Sequence, residues 1–243
     1  MKKIMKAVFI AKAVVVCTAL AVQAADHAVQ LKRGGLLYDK WFAVAGAKPE
    51  GTHPLYPAEG KKSGETTWRC KECHGWDYLG RDGRYKSGSH YTGIEGVYEY
   101  RTMSVAELIG VLSGKEVAAH DFSAYLARED LESLAVFIRE GLVDFREVLD
   151  REGKVKGDLR RGKGLYEQHC ASCHGADGNK LDFKSKKPGV QGVGWLARKN
   201  PQESLHKIRW GHPGSKMPSM IVDARLGDQE CVDILAYSVT LGE

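Results

Sequence analysis

No apolar run in this sequence is both long and unbroken enough to read as a membrane span. The stretch Ala7 to Val22 is interrupted by Lys12 and Thr18 and falls short of the roughly 20 residues a span needs. Preceded by Lys2, Lys3 and Lys6 and followed by Ala24 and Ala25, it reads as an export signal over 1–25, cleaved after Ala24 or Ala25. With that signal removed, an integral membrane protein is not expected and the chain is placed in the periplasm. Cysteine is also scarce. Cys17 goes with the signal, leaving Cys70, Cys73, Cys170, Cys173 and Cys231. An odd number arranged as two tight pairs does not describe a disulfide framework. Sustained period-two alternation is missing throughout, which argues against a β-sheet protein. A strong basic excess is missing too, so nucleic acid is not an expected partner.

Charge becomes informative once the chain is divided. Residues 26–150 hold 16 basic and 20 acidic side chains, whereas residues 151–243 hold 16 and 11. Halves of opposite sign imply different docking surfaces, with an acidic partner suited to the second. Lys184, Lys186 and Lys187 form a basic cluster in that half, either a solvated loop or part of such a surface.

What the chain does have is an internal repeat. Cys70-Lys71-Glu72-Cys73-His74-Gly75 returns 100 residues later as Cys170-Ala171-Ser172-Cys173-His174-Gly175. Gly93 to Val97 returns as Gly189 to Val193, Leu108 to Gly114 as Leu205 to Gly211, and Leu131 to Ile138 as Cys231 to Ser238. Four anchors in one order imply two tandem domains, set at 26–149 and 150–243, meeting in the charged stretch Asp150 to Asp158. Periodicity within them is helical: Leu131, Leu134, Ala135 and Ile138 share a face, as do Ile234, Leu235 and Tyr237. Asn200-Pro201 is suited to start a helix through Leu205 and Ile208 that Gly211 ends. The expected fold is all-α.

Two cysteines separated by two residues and followed by histidine suit covalent haem attachment. On one helical turn the thiols reach the two vinyl groups while the imidazole reaches the iron from the same side. Zinc binding or a redox dithiol would not require the histidine. Two complete copies therefore predict two covalently bound haem c groups, on Cys70 and Cys73 with His74, and on Cys170 and Cys173 with His174.

The second half resembles class I cytochrome c. Gly164 to His169 leads into the haem motif as that family's first helix does, Lys216-Met217-Pro218 looks like its methionine loop, and Ala236-Tyr237 like part of its closing helix. The resemblance implies a small helical bundle around one haem, with His174 proximal and Met217 distal. Met220 and His212 are the alternatives to Met217. The first half departs from the pattern, having no Met-Pro pair. Met103, His90, His120 and His53 are its candidates for a sixth ligand. The offset of 97 that aligns Gly114 with Gly211 carries Met217 onto His120, which selects His120.

A second departure precedes the first motif. Tyr166 stands four residues before Cys170, but the corresponding Tyr38 stands 32 before Cys70, with a long irregular insertion between. It serves either a function of its own or as a packed cover over the haem. Trp68 and Trp76 flank the motif and are expected against the porphyrin, and Cys231 reads as a small buried core residue.

These features together describe a periplasmic dihaem c-type cytochrome exchanging electrons with redox protein partners. A thioether ligand raises the potential relative to a second imidazole, so electrons are expected to run from a bis-His haem in the first domain to a His/Met haem in the second. With both irons holding two protein ligands, a carrier is expected rather than an enzyme. The rivals are a dihaem oxidoreductase acting on a small inorganic substrate such as thiosulfate, and an electron-transfer subunit of a larger complex.

Overall fold

The structure, a computed structural model, describes residues 2–183 and 189–242, with side chains from residue 23 onward. Residues 1–25, where an export signal is expected, therefore lie largely outside the described side chains, and Lys184, Lys186 and Lys187 lie outside the described residues. Among the described residues ten α-helices follow in order: α1 Lys2–Ala45, α2 Cys70–His74, α3 Val105–Leu112, α4 Arg128–Val136, α5 Phe145–Val148, α6 Leu159–His169, α7 Ala171–His174, α8 Val193–Lys199, α9 Pro201–Trp210 and α10 Asp228–Ser238. Among the described residues only isolated β-bridges occur, and no helix is long and apolar enough to cross a membrane.

Local chemistry accounts for the helix ends. Ser104 and Glu107 form a reciprocal capping box at the start of α3. Asn200 accepts from the Glu203 amide before α9, Pro201 fills its first position, and Gly211 ends it in the left-handed region at φ 89°.

Two hydrophobic clusters organise the packing. The first gathers Leu37, Tyr38, Trp41 and Phe42 of α1, Leu108 and Leu112 of α3, and Leu131, Leu134, Phe137 and Ile138 at α4 and the wide turn after it. The second gathers Tyr166 of α6, Leu205 and Ile208 of α9, and Cys231, Ile234 and Leu235 of α10. One helix crossing is built twice. α1 packs on α4 and α6 packs on α10. A side chain at Gly34 would collide with the Ser133 carbonyl, and one at Gly162 with that of Asp233, so only glycine lets each pair approach. Beside each glycine an arginine spans the crossing, Arg33 to Asp130 and Arg161 to Asp233.

α9 also joins the two clusters. Leu205 and Ile208 face the second, while His206 and Trp210 face the first. His206 Nε2 donates to the Gly35 carbonyl (2.9 Å), and its Nδ1 meets the Tyr78 hydroxyl (3.2 Å). Arg209 donates to the Gly141 carbonyl (2.6 Å), and Lys32 pairs with Asp223 (2.7 Å).

Candidate functional site

The first Cys-x-x-Cys-His run forms the short helix α2 on the wall of a cavity of about 390 Å³. Cys70, Cys73 and His74 line it, with Leu108, Val111, Leu112, Leu134 and Ile138 supplying an apolar wall. Such a volume suits a small-molecule cofactor. His120 lines the same cavity, its ring centroid 6.2 Å from that of His74 and its plane turned by 83°. Each histidine places Nδ1 against a backbone carbonyl, His74 at Glu95 (2.7 Å) and His120 at Val111 (3.2 Å). Burial keeps both rings neutral, pushing the His74 pKa down to about 4 and lowering that of His120. In a neutral ring the nitrogen beside a carbonyl must hold the proton, so Nε2 keeps its lone pair in both. The 6.2 Å between ring centroids is about what two imidazoles sharing one metal ion would span. The cavity, the thiols and the facing imidazoles therefore fit a covalently attached haem.

The thiols fit no alternative as well. Burial, the dominant cause, pushes Cys70 and Cys73 up to about 12, so neither is the low-pKa thiolate of a redox dithiol. Both are free, and among the described residues no three His, Cys, Asp or Glu side chains converge as a metal cage.

The other candidate ligands are placed elsewhere or in the wrong state. His90 stacks on Tyr85 (4.7 Å) and bonds Glu72 (2.8 Å) outside the cavity lining. Met103 packs at the edge of the first cluster and does not line the cavity. His53 does line it, but its Nδ1 accepts from the Leu55 amide (3.1 Å). Burial lowers His53 to about 4, so in that neutral ring the proton sits on Nε2, a donor instead of a ligand. Sequence reasoning had no access to this tautomer, which depends on one backbone contact inside the insertion. The insertion itself is a wall: His53, Leu55, Thr67, Trp68 and Arg69 all border the cavity. Trp41 donates to the Trp68 carbonyl (2.7 Å), and Trp68 to that of Gly51 (3.0 Å), tying the segment down. Trp68 thus borders the cavity. Trp76 does not; it packs on His206 (5.0 Å), away from the cavity lining.

Around the second motif the arrangement is open. α6 leads through Cys170 into α7, with Cys173 exposed. The Tyr166 hydroxyl donates to the Gly175 carbonyl (3.0 Å), as Tyr38 does to Gly75 (2.6 Å). The same tyrosine therefore holds the glycine after each motif histidine, although the insertion separates Tyr38 from Cys70. Nδ1 of His174 is buried and has no hydrogen-bond partner, and burial lowers its pKa. Its ring meets Phe183 edge-on at 6.0 Å. Phe183, Leu181 and Val190 are 40%, 46% and 54% exposed, an uncovered apolar border beside the motif. The uncovered apolar side chains beside the motif fit a haem that would cover them.

Met217 sits half-buried in the loop after α9, its amide donating to Ser215 Oγ (3.1 Å) and its carbonyl accepting from the His212 amide (3.4 Å). No hydrogen bond or ring contact joins it to His174. Met220 is 4% exposed in the second cluster, its amide bonded to the Ile208 carbonyl (3.0 Å), which makes it a core residue. Cys231 is fully buried, as expected, its thiol pushed up to about 12 by burial.

Residues 157–237, from just before α6 to near the end of α10, match the family model described as cytochrome C oxidase, cbb3-type, subunit III. The match covers about a third of the chain. It supports a cytochrome c domain over these residues, and with it a covalently bound haem c, a haem-based electron-transfer role and redox protein partners.

Proposed function

We propose that the chain is an exported dihaem c-type cytochrome, with one haem in each of two tandem domains at 26–149 and 150–243, that carries electrons between protein partners in the periplasm. The observation that carries this reading is the His74 and His120 pair, edge-on at 6.2 Å, lining one largely apolar cavity with Cys70 and Cys73, in a region that the family match does not reach. The repeated tyrosine-to-glycine bond and the repeated glycine crossing support the same architecture in both halves.

Cys70 and Cys73 would attach the first haem and His74 and His120 hold its iron; Cys170 and Cys173 would attach the second, with His174 and Met217 on its iron. A haem so held supplies reversible one-electron exchange. Glu95 and Val111 orient the first pair of imidazoles by accepting from Nδ1. The insertion and the apolar wall exclude water, and two protein ligands leave no position open for a substrate. Met217 favours reduced iron relative to a second imidazole, so the second centre is the accepting one. The basic second half suits an acidic partner.

Haem staining after denaturing electrophoresis, intact mass, and ferric spectroscopy test this reading. Two haems, both low-spin and six-coordinate, are expected. A mass with one haem would sink the dihaem assignment, and a high-spin or thiolate-ligated first centre would favour an enzyme acting on a small inorganic substrate.

A further inference from the structure

We infer that Asp39, on α1 beside the first cluster, is the positioning residue for the loop after α9 that carries Met217. Asp39 lies near the end of α1, just before the kink at Lys40, and is completely buried. The Arg69 guanidinium binds its Oδ1, and Arg69 Nε donates to its carbonyl (2.7 Å), anchoring it beside Cys70. Its Oδ2 has no hydrogen-bond partner. The group that faces this oxygen is Nδ1 of His212, 3.5 Å away, itself a buried nitrogen without another partner. Two buried atoms without hydrogen-bond partners thus lie 3.5 Å apart across the junction between the clusters. A buried carboxylate is costly unless paired, so Asp39 holds His212 in place.

His212 is in turn the hub of the loop. It follows Gly211, where α9 ends, and its amide donates to the Met217 carbonyl (3.4 Å). Its own carbonyl accepts from the Ser215 amide (3.2 Å) and hydroxyl (3.0 Å), and Ser215 Oγ accepts from the Met217 amide (3.1 Å). Fixing the His212 ring therefore fixes the backbone that presents Met217. The Arg69 guanidinium and Lys207 add favourable charge around Asp39, whose carboxyl is held well below the usual carboxylate range despite its burial. The same residue touches both motifs' neighbourhoods: Arg69 adjoins Cys70, and His212 opens the Met217 loop.

The inference rests on the proposed function only in treating Met217 as an iron ligand. Its test uses the full-length haem-loaded protein and variants Asp39→Asn, His212→Ala and His212→Gln, read by amide hydrogen exchange over residues 212–219 and by the sulfur-to-iron absorption band of the ferric protein. In Asp39→Asn and His212→Ala, exchange in the loop should quicken by about tenfold, and the band should disappear at lower denaturant concentration. The spectrum of the first centre should not change. His212→Gln, which keeps a donor, should recover part of the protection. Wild-type exchange in His212→Ala overturns the inference. So does faster exchange in Asp39→Asn alone, because Asp39 would then act through Arg69 on the first cluster only. Should Asp39→Asn fail to fold, the two His212 variants decide. If the wild type lacks a Met217-dependent band, the ligand assignment falls, while loop exchange still tests the Asp39 contact.

Discussion

The ring of His120 faces that of His74 at 6.2 Å, and each turns Nδ1 to a backbone carbonyl. That relationship separates His120 from every other candidate in the first half. His120→Ala should open the first iron, giving a high-spin ferric spectrum or binding of added imidazole, while the second centre keeps its bands. His53→Ala and His90→Ala should leave the first centre low-spin, since one ring presents a proton to the cavity and the other bonds Glu72 outside it. His120→Met should raise the potential of the first centre toward that of the second, because sulfur stabilises ferrous iron better than imidazole does.

Met217 and Met220 lie three residues apart and have different environments. Met217→Ala should abolish the sulfur-to-iron band while costing little stability, because the side chain is half-exposed. Met220→Ala should keep the band and cost about 2–4 kcal/mol in denaturant unfolding, since it removes a side chain 4% exposed in the second cluster. Persistence of the band in Met217→Ala would transfer the ligand role to another residue.

Much of this arrangement was legible in the sequence because it depends on spacing. The helix from Pro201 to Gly211, the closing helix through Cys231 and the alignment that selects His120 all follow from residues whose order is repeated. The equivalence of Tyr38 with Tyr166 was visible as well, but not how the 32-residue separation could preserve it. α1 supplies Tyr38 from outside the insertion, so the hydroxyl reaches Gly75 whatever length of chain intervenes. Trp76 was misplaced because adjacency to a motif does not give side-chain direction; after Gly75 the chain turns it toward His206 of α9. Asp39 carried no signal, and His212 stood out only as an alternative to Met217, not as a partner of Asp39. Their meeting depends on how α1 docks beside α9, a long-range contact that no local pattern encodes.

The repeated tyrosine bond predicts a repeated cost. Tyr38→Phe and Tyr166→Phe each remove a donor from a glycine carbonyl next to a motif histidine, and each should destabilise by about 1–2 kcal/mol. Haem content should be unchanged in both, since each substitution leaves both thiols of its motif in place. The loss should be larger at Tyr38, where the hydroxyl is buried in the first cluster and water cannot replace it.

His206 gives the junction between the clusters a pH dependence. Burial, its largest cause, depresses its pKa to about 4 from the usual value near 6.5. The ring is 1% exposed, with Nε2 donating to Gly35 and Nδ1 beside the Tyr78 hydroxyl, so the folded protein uses the neutral form at both nitrogens. An unfolded chain takes up the proton first. The contribution of His206 to stability is therefore complete above about pH 6.5 and is lost progressively as pH falls toward 4, where the folded form protonates too. The full loss is of order 3 kcal/mol. Denaturant unfolding at intervals between pH 7 and pH 4 should show this slope in the wild type and a shallower one in His206→Gln, which keeps a donor for Gly35 but does not titrate. Equal slopes in the two proteins would mean that other buried groups, not His206, govern acid sensitivity at the junction.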